Sequence, residues 1–358
     1  MPDLSALIAA TPDTAMTIGG LLIGALFGII VHRSNYCTMG AISDWWTCGN
    51  AGRLGAVALA AAIAVIGAQT LDSYAVTDLS KSIYLTPRIN WLGALAGGLV
   101  FGAGMVYAGG CPSRTLVRTG GGDLRGVISL VVMAIAAYAT ISGVLAVLRT
   151  NIDATTAIDL RGHGFATQSL TALFGGAGSA RLIATVLIAA PLLAFALLKA
   201  KILSSPRNLA AGLGIGLLAT AGWMLTGMAN DEFAVQPVPP ASLSFVKPVG
   251  DAIDWIERST ALGLPGFAAS SVFGVLAGAF LSNLLAGTAR VTAFADRGDF
   301  VRHFGGAAAM GIGGVLALGC SIGQGVTGIS TLAVQSLIAC AAIFTGAVLA
   351  LRKLEREI

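Results

Sequence analysis

Three of the five cysteines share one local pattern, in which a glycine-rich apolar stretch ends and small polar residues follow. A thiol is a weak, soft hydrogen-bond donor that is easily buried. The pattern therefore favours a buried site for a small anion that is itself soft and accepts hydrogen bonds through sulfur. The three segments are RSNYCTMGA at 33–41, GGCPSRTLVR at 109–118 and GCSIGQGVTGIS at 319–330, and they contain Cys37, Cys111 and Cys320.

The residues beside these cysteines predict a break between two helices. Gly110 and Gly319 are suited to end the incoming helix, since glycine is common just after a helix C-terminus. Cys111 is then expected as the N-cap and Pro112 as the first residue of a new short helix, a position that tolerates proline. A helix N-terminus carries free N–H groups and partial positive charge, which suits an anion. At membrane depth, such breaks occur only where protein buries them or they line a cavity.

Other polar side chains near the cysteines are candidates for the same site. Asn35 and Arg114 are placed to donate hydrogen bonds to an anion. Gln324 is a candidate to line the path with its amide, and a helix-packing hydrogen bond is the alternative role. Cys48 and Cys340 are interpreted as packing residues. The histidines are isolated from other metal-ligating residues, so we expect neither a metal nor a cofactor.

The composition indicates that these segments lie in a membrane. Of the 358 residues, 56% are hydrophobic and 11% are charged, whereas soluble domains have about 25% charged residues. This composition excludes a soluble enzyme, a disordered chain and a nucleic-acid binder. The net charge of +4 is too small to imply a polyanionic partner. An odd number of cysteines argues against a secreted disulfide framework.

Hydropathy predicts an all-α polytopic membrane protein, in which each span needs about 20 mostly apolar residues. With the N-terminus outside, 14 of the 21 lysines and arginines fall in inner segments, as the positive-inside rule favours. Two outer loops, 149–180 and 228–265, are long enough to carry short helices. For Asp251 to Thr260 in the second loop, a surface helix and a plain connector are equally expected. The nine predicted spans are 15–32, 54–71, 91–110, 126–148, 181–198, 208–227, 266–288, 305–319 and 329–351.

Glycine patterns also predict an internal repeat. One pair of similar segments ends at Cys111 and Cys320, and another pair, GALFG at 24–28 and GVLAG at 274–278, has an offset of 250 residues. The spans that end at Cys111 and Cys320 are predicted to run in opposite directions, so the repeats are expected to be inverted, with a site near the membrane midplane. We expect one membrane domain over 1–358, with pseudo-symmetric halves 1–180 and 181–358. At an offset of 209 residues, Gly97, Gly102, Gly104 and Gly110 match Gly306, Gly311, Gly313 and Gly319.

The three cysteine motifs, in this order, resemble those of the YeeE/YedE family of bacterial inner-membrane proteins, whose best-understood members take up thiosulfate. The resemblance covers most of the chain. It implies an hourglass shape in which short re-entrant helices dip to a constriction. It also implies that Cys37, Cys111 and Cys320 pass the ion along by S–H hydrogen bonds. Arg114 departs from the small residue or glycine of many members, which indicates either added anion affinity at the inner mouth or a different substrate.

The expected function is therefore uptake of thiosulfate or a similar sulfur oxyanion across the bacterial inner membrane, by a protein that is not an enzyme. The N-terminus is expected in the periplasm and the C-terminus in the cytoplasm, where a sulfur-carrier or sulfurtransferase protein is the candidate partner. Three alternatives stay open: a membrane sulfurtransferase that carries a persulfide on Cys111 or Cys320, a permease for another sulfur or selenium species, and a channel for a neutral molecule in which the cysteines only pack.

Overall fold

A computed structural model describes residues 11–176, 178–229 and 239–357. Helices make up most of this part of the chain, and two strands of two residues each, β1 (Arg88–Ile89) and β2 (Ile158–Asp159), pair antiparallel. The α-helices in chain order are α1 (Pro12–Ser34), α2 (Thr38–Cys48), α3 (Gly52–Ser73), α4 (Trp91–Tyr107), α5 (Pro112–Gly120), α6 (Leu124–Ile141), α7 (Ala146–Thr156), α8 (Leu170–Leu173), α9 (Gly178–Ala194), α10 (Pro206–Met228), α11 (Val246–Leu262), α12 (Phe267–Ala286), α13 (Arg297–Leu316) and α14 (Val334–Glu357).

Eight stretches of the described residues are long and apolar enough to cross a membrane. They confirm an all-α, multi-pass membrane protein, as the composition predicts. Two of the stretches contain a break, because α1 with α2 and α4 with α5 each form one apolar run. The eight stretches are Pro12–Cys48, Gly52–Ser73, Trp91–Gly120, Leu124–Ile141, Gly178–Lys199, Pro206–Met228, Phe267–Ala286 and Val334–Arg356.

One of the nine predicted spans, 305–319, is not among these eight. It belongs to α13, which has 20 residues and begins at Arg297. The first part of α13 carries Asp299, Arg302 and other polar side chains, so the helix has the length of a span without its apolarity. The sequence prediction recognised the apolar second half of α13 and missed the charged first half.

Helices α4 and α13 cross at glycines that face each other in pairs. A Cβ atom on Gly104 would lie 2.7 Å from the carbonyl oxygen of Gly306, and a Cβ on Gly97 would lie 2.7 Å from that of Gly313. Only glycine allows this approach, which replaces the hydrophobic effect as a packing force between membrane helices. Because the residue numbers run in opposite senses along the contact, α4 and α13 are antiparallel, as the predicted topology requires.

Helices α1 and α12 also meet at glycines, but they are parallel. Gly20 packs against Phe267, and Gly28 packs against Val275, so the residue numbers rise together along the contact. The predicted pairing of GALFG with GVLAG as part of the same inverted repeat is therefore wrong, because inverted elements have to run in opposite directions. These two segments resemble each other because both supply small residues to one helix–helix contact.

The loop that precedes α11 enters the protein interior without regular secondary structure. Within 239–245, the side chains of Leu243 and Phe245 are completely buried, and the ring of Phe245 lies 5.0 Å from that of Phe27 in α1. The hydroxyl of Thr327 donates a 2.6 Å hydrogen bond to the Leu243 carbonyl. Such irregular backbone is stable between membrane helices when protein surrounds it. Of the two alternatives for Asp251 to Thr260, the helix is the one present, as part of α11.

Candidate functional site

The first cysteine lies at the break between α1 and α2. Asn35 has a left-handed backbone (φ 56°) and ends α1, and Cys37 is the extended N-cap of α2. The Cys37 sulfur accepts the backbone N–H of Gly40 at 3.4 Å. A thiol thus replaces the oxygen that usually caps a helix N-terminus.

The second cysteine lies between α4 and α5, where the prediction for the helix start is confirmed. Cys111 is the N-cap of α5, and Pro112 is its first residue. The left-handed residue that ends α4 is Gly109 (φ 67°), one position before the predicted Gly110. Gly110 instead donates its N–H to the Met105 carbonyl at 2.9 Å, which is the outer bond of a Schellman motif.

The third cysteine follows an equivalent turn at the end of α13. Leu318 takes the left-handed conformation (φ 58°), and Gly319 donates its N–H to the Gly314 carbonyl at 2.7 Å. A left-handed leucine costs about 1–2 kcal/mol relative to a right-handed one. Cys320 then begins a helical stretch over 321–330, whose middle part is a π-helix.

Cys37 and Cys111 lie together in the interior of the protein. Their sulfur atoms are 3.7 Å apart, and the two residues are 5% and 0% exposed. The Ser113 hydroxyl lies 3.2 Å from the Cys111 sulfur, and the backbone N–H groups of Thr38 and Arg114 are close to it. The N-termini of α2 and α5 therefore meet at one point and concentrate N–H, O–H and S–H donors there.

Cys320 is also completely buried. Its sulfur accepts the N–H of Gly323 at 3.2 Å, and the backbone N–H of Phe245 also lies close to it. Within the ranges that the structure describes, no other cysteine sulfur comes within hydrogen-bond distance of Cys320. The structure thus brings Cys37 and Cys111 within hydrogen-bond distance of each other, while Cys320 lies close enough to Cys111 to interact with it electrostatically but makes no sulfur–sulfur contact.

Arg114 and Asn35 form a polar contact beside the cysteine pair. The Arg114 guanidinium donates a 2.9 Å hydrogen bond from Nη2 to the Asn35 side-chain oxygen. Its Nη1 atom is buried and makes no hydrogen bond to any described residue. A buried charged donor without a partner is unfavourable, so this position is suited to a ligand that carries negative charge.

A second arginine supports the turn that precedes Cys111. Arg118 donates from Nη1 to the Gly109 carbonyl at 3.2 Å and binds Asp123 through Nη2 at 2.6 Å. Burial acts to raise the pKa of Asp123, but hydrogen bonds from Arg125 and Arg118 outweigh it and hold the pKa at about 2. Asp123 is therefore ionised at neutral pH and fixes Arg118 against the turn.

Gln324 has the corresponding role at the turn before Cys320. Its side-chain nitrogen donates to the Ala317 carbonyl, while its side-chain oxygen is buried without a partner in the described residues. Three other buried polar groups without a partner in the described residues lie next to the cysteines, and the sequence analysis did not predict them as site residues. The only feature of the sequence that could have identified them is that each directly adjoins a cysteine. These groups are the hydroxyls of Tyr36, Thr38 and Ser321.

A polar cavity of about 480 Å³ opens beside the C-terminal end of α3. Gln69 lines it and donates a 2.9 Å hydrogen bond to the Ser330 carbonyl, at the end of the helical stretch that Cys320 begins. Arg181 and Asp72 also line the cavity and form a 2.7 Å ion pair. The cavity therefore borders the C-terminal end of the helical stretch that Cys320 begins.

The other two cysteines lie away from the pair. Cys48 is exposed, and Cys340 lines a largely apolar cavity of about 270 Å³ that Thr38 and Ser321 also line. Among the residues with described positions, no group of three or more His, Cys, Asp or Glu side chains is arranged to hold a metal ion.

Comparison with known proteins places the chain in a family. A family model described as sulphur transport matches residues 33–349, a range that includes all three cysteine motifs. The thiosulfate transporter TsuA of Escherichia coli (strain K12) is 25% identical over 326 residues, which cover 87% of this chain and 87% of that protein. The thiosulfate transporter TsuA of Spirochaeta thermophila is 24% identical over 339 residues, which cover 89% of this chain and 93% of that protein. The chain therefore belongs to the sulphur-transport (YeeE/YedE) family.

Proposed function

We propose that this protein transports thiosulfate, or a similar small sulfur oxyanion, across the membrane along a path in which cysteine thiols donate hydrogen bonds to the ion. Family membership supports the sulfur substrate, and two relatives named as thiosulfate transporters align over most of their length. No described feature requires an enzymatic step.

The observation that carries the proposal is the meeting of Cys37 and Cys111 at 3.7 Å between two helix N-termini. Thiosulfate has a soft terminal sulfur and a sulfonate group, both of which accept hydrogen bonds. Thiols are matched to the terminal sulfur because they are weak donors with soft sulfur atoms. The helix N-termini add partial positive charge, which favours a dianion.

Arg114 sets the orientation of the bound ion in the site. Its free Nη1 donor is buried on one side of the thiol pair, and it is matched to the charged sulfonate oxygens. The terminal sulfur then faces the thiols of Cys37 and Cys111. Sulfate lacks that soft terminal sulfur, so the same site favours thiosulfate over sulfate.

The cavity lined by Gln69 and Thr331 is the proposed outer vestibule, and Cys320 is the first thiol that an incoming ion meets. Gln324 offers its amide along this part of the path, and Gly110 and Gly319 contribute by donating their N–H groups back to the helices that precede the thiols. Loop charges support an N-terminus in the periplasm and a C-terminus in the cytoplasm of a bacterial inner membrane.

The membrane potential sets a condition on uptake. Moving a dianion inward against 100 mV costs about 4.6 kcal/mol, twice the value for a single charge. Inward movement therefore needs either a coupled ion or rapid removal of the substrate inside. A cytoplasmic sulfur-carrier or sulfurtransferase protein is the partner that would remove it.

The experiment is uptake of labelled thiosulfate by cells that lack their own importers, with the wild type compared with Cys37→Ala and with the matched control Cys340→Ala. We expect uptake by the wild type and by the control, and loss of uptake in Cys37→Ala. A wild type without uptake would contradict the assigned substrate.

The alternative functions predict different results with the same cells and proteins. A membrane sulfurtransferase would leave a covalent sulfur adduct on Cys111 or Cys320, which mass spectrometry of the purified protein detects. A channel for a neutral molecule would keep its activity after Cys37→Ala, because the cysteines would only pack. Competition by selenium or other sulfur oxyanions identifies a permease with a different preferred substrate.

A further inference from the structure

Cys37 and Cys111 are close enough to form a covalent bond after a small movement. Their sulfur atoms are 3.7 Å apart, and a disulfide requires about 2.0 Å. Both residues are N-caps, so their side chains can turn without breaking backbone hydrogen bonds within α2 or α5. We propose that this pair is a modification site, in which a small polythionate oxidises the two thiols to a reversible disulfide that closes the transport path.

The other cysteines do not share this arrangement. Cys320 is buried with Gly323 as its hydrogen-bond partner, Cys340 lines the apolar cavity, and Cys48 is exposed with the Thr47 hydroxyl 3.4 Å from its sulfur. Among the cysteines, all of which have described positions, only Cys37 and Cys111 have their sulfur atoms within hydrogen-bond distance of each other. The modification is therefore specific to one pair.

The burial of Cys37 and Cys111 restricts which oxidants can reach their sulfur atoms. Cys111 is completely buried and Cys37 nearly so, so a bulky disulfide such as glutathione disulfide does not reach them. A polythionate is a small dianion with sulfane sulfur between sulfonate groups, and it therefore carries the groups that the site is proposed to bind. This part of the inference rests on the proposed function, because the path has to admit sulfur oxyanions.

The reaction balances with tetrathionate as the oxidant. One cysteine thiolate attacks a central sulfur, the bond between the two central sulfurs breaks, and one thiosulfate leaves with the electron pair. The neighbouring thiol attacks the modified cysteine sulfur, loses its proton and displaces the second thiosulfate. In total, two thiols and one tetrathionate give one disulfide, two thiosulfates and two protons, so the pair loses two electrons and tetrathionate gains them.

The disulfide would stop transport for two reasons. It removes both S–H donors from the site, and it joins the N-termini of α2 and α5 covalently, which fixes the spacing between them. A dithiol reductant restores the open state by exchange. The product of the oxidation is thiosulfate, so closure would occur where the oxidised form of the proposed substrate accumulates.

The test uses the full chain, purified in detergent, with Cys48→Ser and Cys340→Ala to remove the unrelated thiols. Tetrathionate treatment, alkylation of the remaining thiols and digestion should give a peptide pair that joins Cys37 to Cys111. Its mass should be about 2 Da below the sum of the reduced peptides, because two hydrogens are lost. Cys320→Ala in this background should keep the cross-link, and Cys37→Ser should abolish it.

Alkylation of both Cys37 and Cys111 after tetrathionate treatment would overturn the proposed modification. Cross-linking by glutathione disulfide at an equal rate would overturn the selection by burial. In cells, tetrathionate should abolish uptake until a dithiol is added, and full uptake with the pair cross-linked would overturn the closure. The cross-link is read without transport, so a protein that forms it but takes up no thiosulfate contradicts only the proposed function.

Discussion

The turn before Cys111 and the turn before Cys320 have the same backbone and different surroundings. Each ends a helix with one left-handed residue, Gly109 or Leu318, followed by a glycine that donates its N–H back to the helix. Around Cys111, the supporting side chain is the charged Arg118; around Cys320, it is the neutral Gln324. The same local fold is thus supported by a charged side chain at one turn and by a neutral amide at the other.

The elements that pack against the two turns differ in the same way. Cys37 caps α2 and contacts Cys111, while Phe245 precedes α11 and places its N–H close to the Cys320 sulfur. Both residues are N-caps, Cys37 of α2 and Phe245 of α11. Where α2 begins with a thiol, α11 begins with an aromatic ring, which packs against Phe27.

In the proposed path, the two turns would serve separate steps. The single thiol of Cys320, with neutral donors around it, would bind an anion weakly and release it easily. The thiol pair beside the guanidinium of Arg114 would bind the anion more strongly. In the predicted orientation, the incoming ion would meet the weaker position first.

Removing the paired thiol should be more harmful than removing the single one. We expect Cys111→Ala to lower the rate of thiosulfate uptake by about 100-fold and Cys320→Ala by about tenfold, since loss of a donor at an anion site costs factors of this order. Uptake by both variants is measured at equal protein abundance. A larger loss in Cys320→Ala would reverse the assigned order of strength.

Arg114 should determine affinity for the ion. Arg114→Gln removes one charge-assisted hydrogen bond and should raise the apparent KM for thiosulfate by about tenfold, which corresponds to about 1.4 kcal/mol. Arg114→Lys should restore part of the affinity. Arg207→Gln, which removes an exposed arginine at the start of α10, serves as the control for overall charge. An unchanged KM in Arg114→Gln would exclude this residue from the site.

The charged support of the Cys111 turn should make stability depend on pH. The pKa of Asp123 is held at about 2, below the value of about 3.9 expected in the unfolded chain. Its stabilising contribution is therefore complete above pH ~4 and is lost as the pH falls toward 2. The melting temperature in detergent should exceed that of Asp123→Asn at pH 6, and the two should converge at low pH. Parallel curves would argue against this role.

Substitutions of the two left-handed residues should have the smallest effects on stability, and adding or removing a Cβ atom should act in opposite directions. Gly109→Ala should destabilise the protein by about 1 kcal/mol, because alanine is strained in this conformation. At the other turn, Leu318→Gly should be about 1 kcal/mol more stable than Leu318→Ala, since both lose the side chain and only alanine keeps the strain. Melting temperatures of the four proteins, wild type included, test both statements, and a more stable Leu318→Ala would contradict the second.

Local signals allowed the sequence to predict much of this arrangement. Pro112 after Cys111 marked a helix start, and the glycine pattern before Cys320 marked an equivalent helix end. Contacts between distant segments were not predictable in the same way. The pairing of Cys37 with Cys111 spans 74 residues, and it depends on how α1, α2 and α5 pack. The position of Phe245 gave no signal, because a buried aromatic residue in a loop resembles any other apolar residue.

The irregular segment 239–245 has a consequence for how the chain is assembled in the cell. Thr226 and Ala219 of α10 bond to it from nearby in the sequence, while Thr327 supplies the hydroxyl that binds the Leu243 carbonyl from near the other end. A growing chain that has just completed α11 still lacks that hydroxyl. The Leu243 carbonyl therefore gains this hydrogen bond only after the ribosome has made the chain as far as Thr327, and a chain truncated before that residue leaves the carbonyl without it.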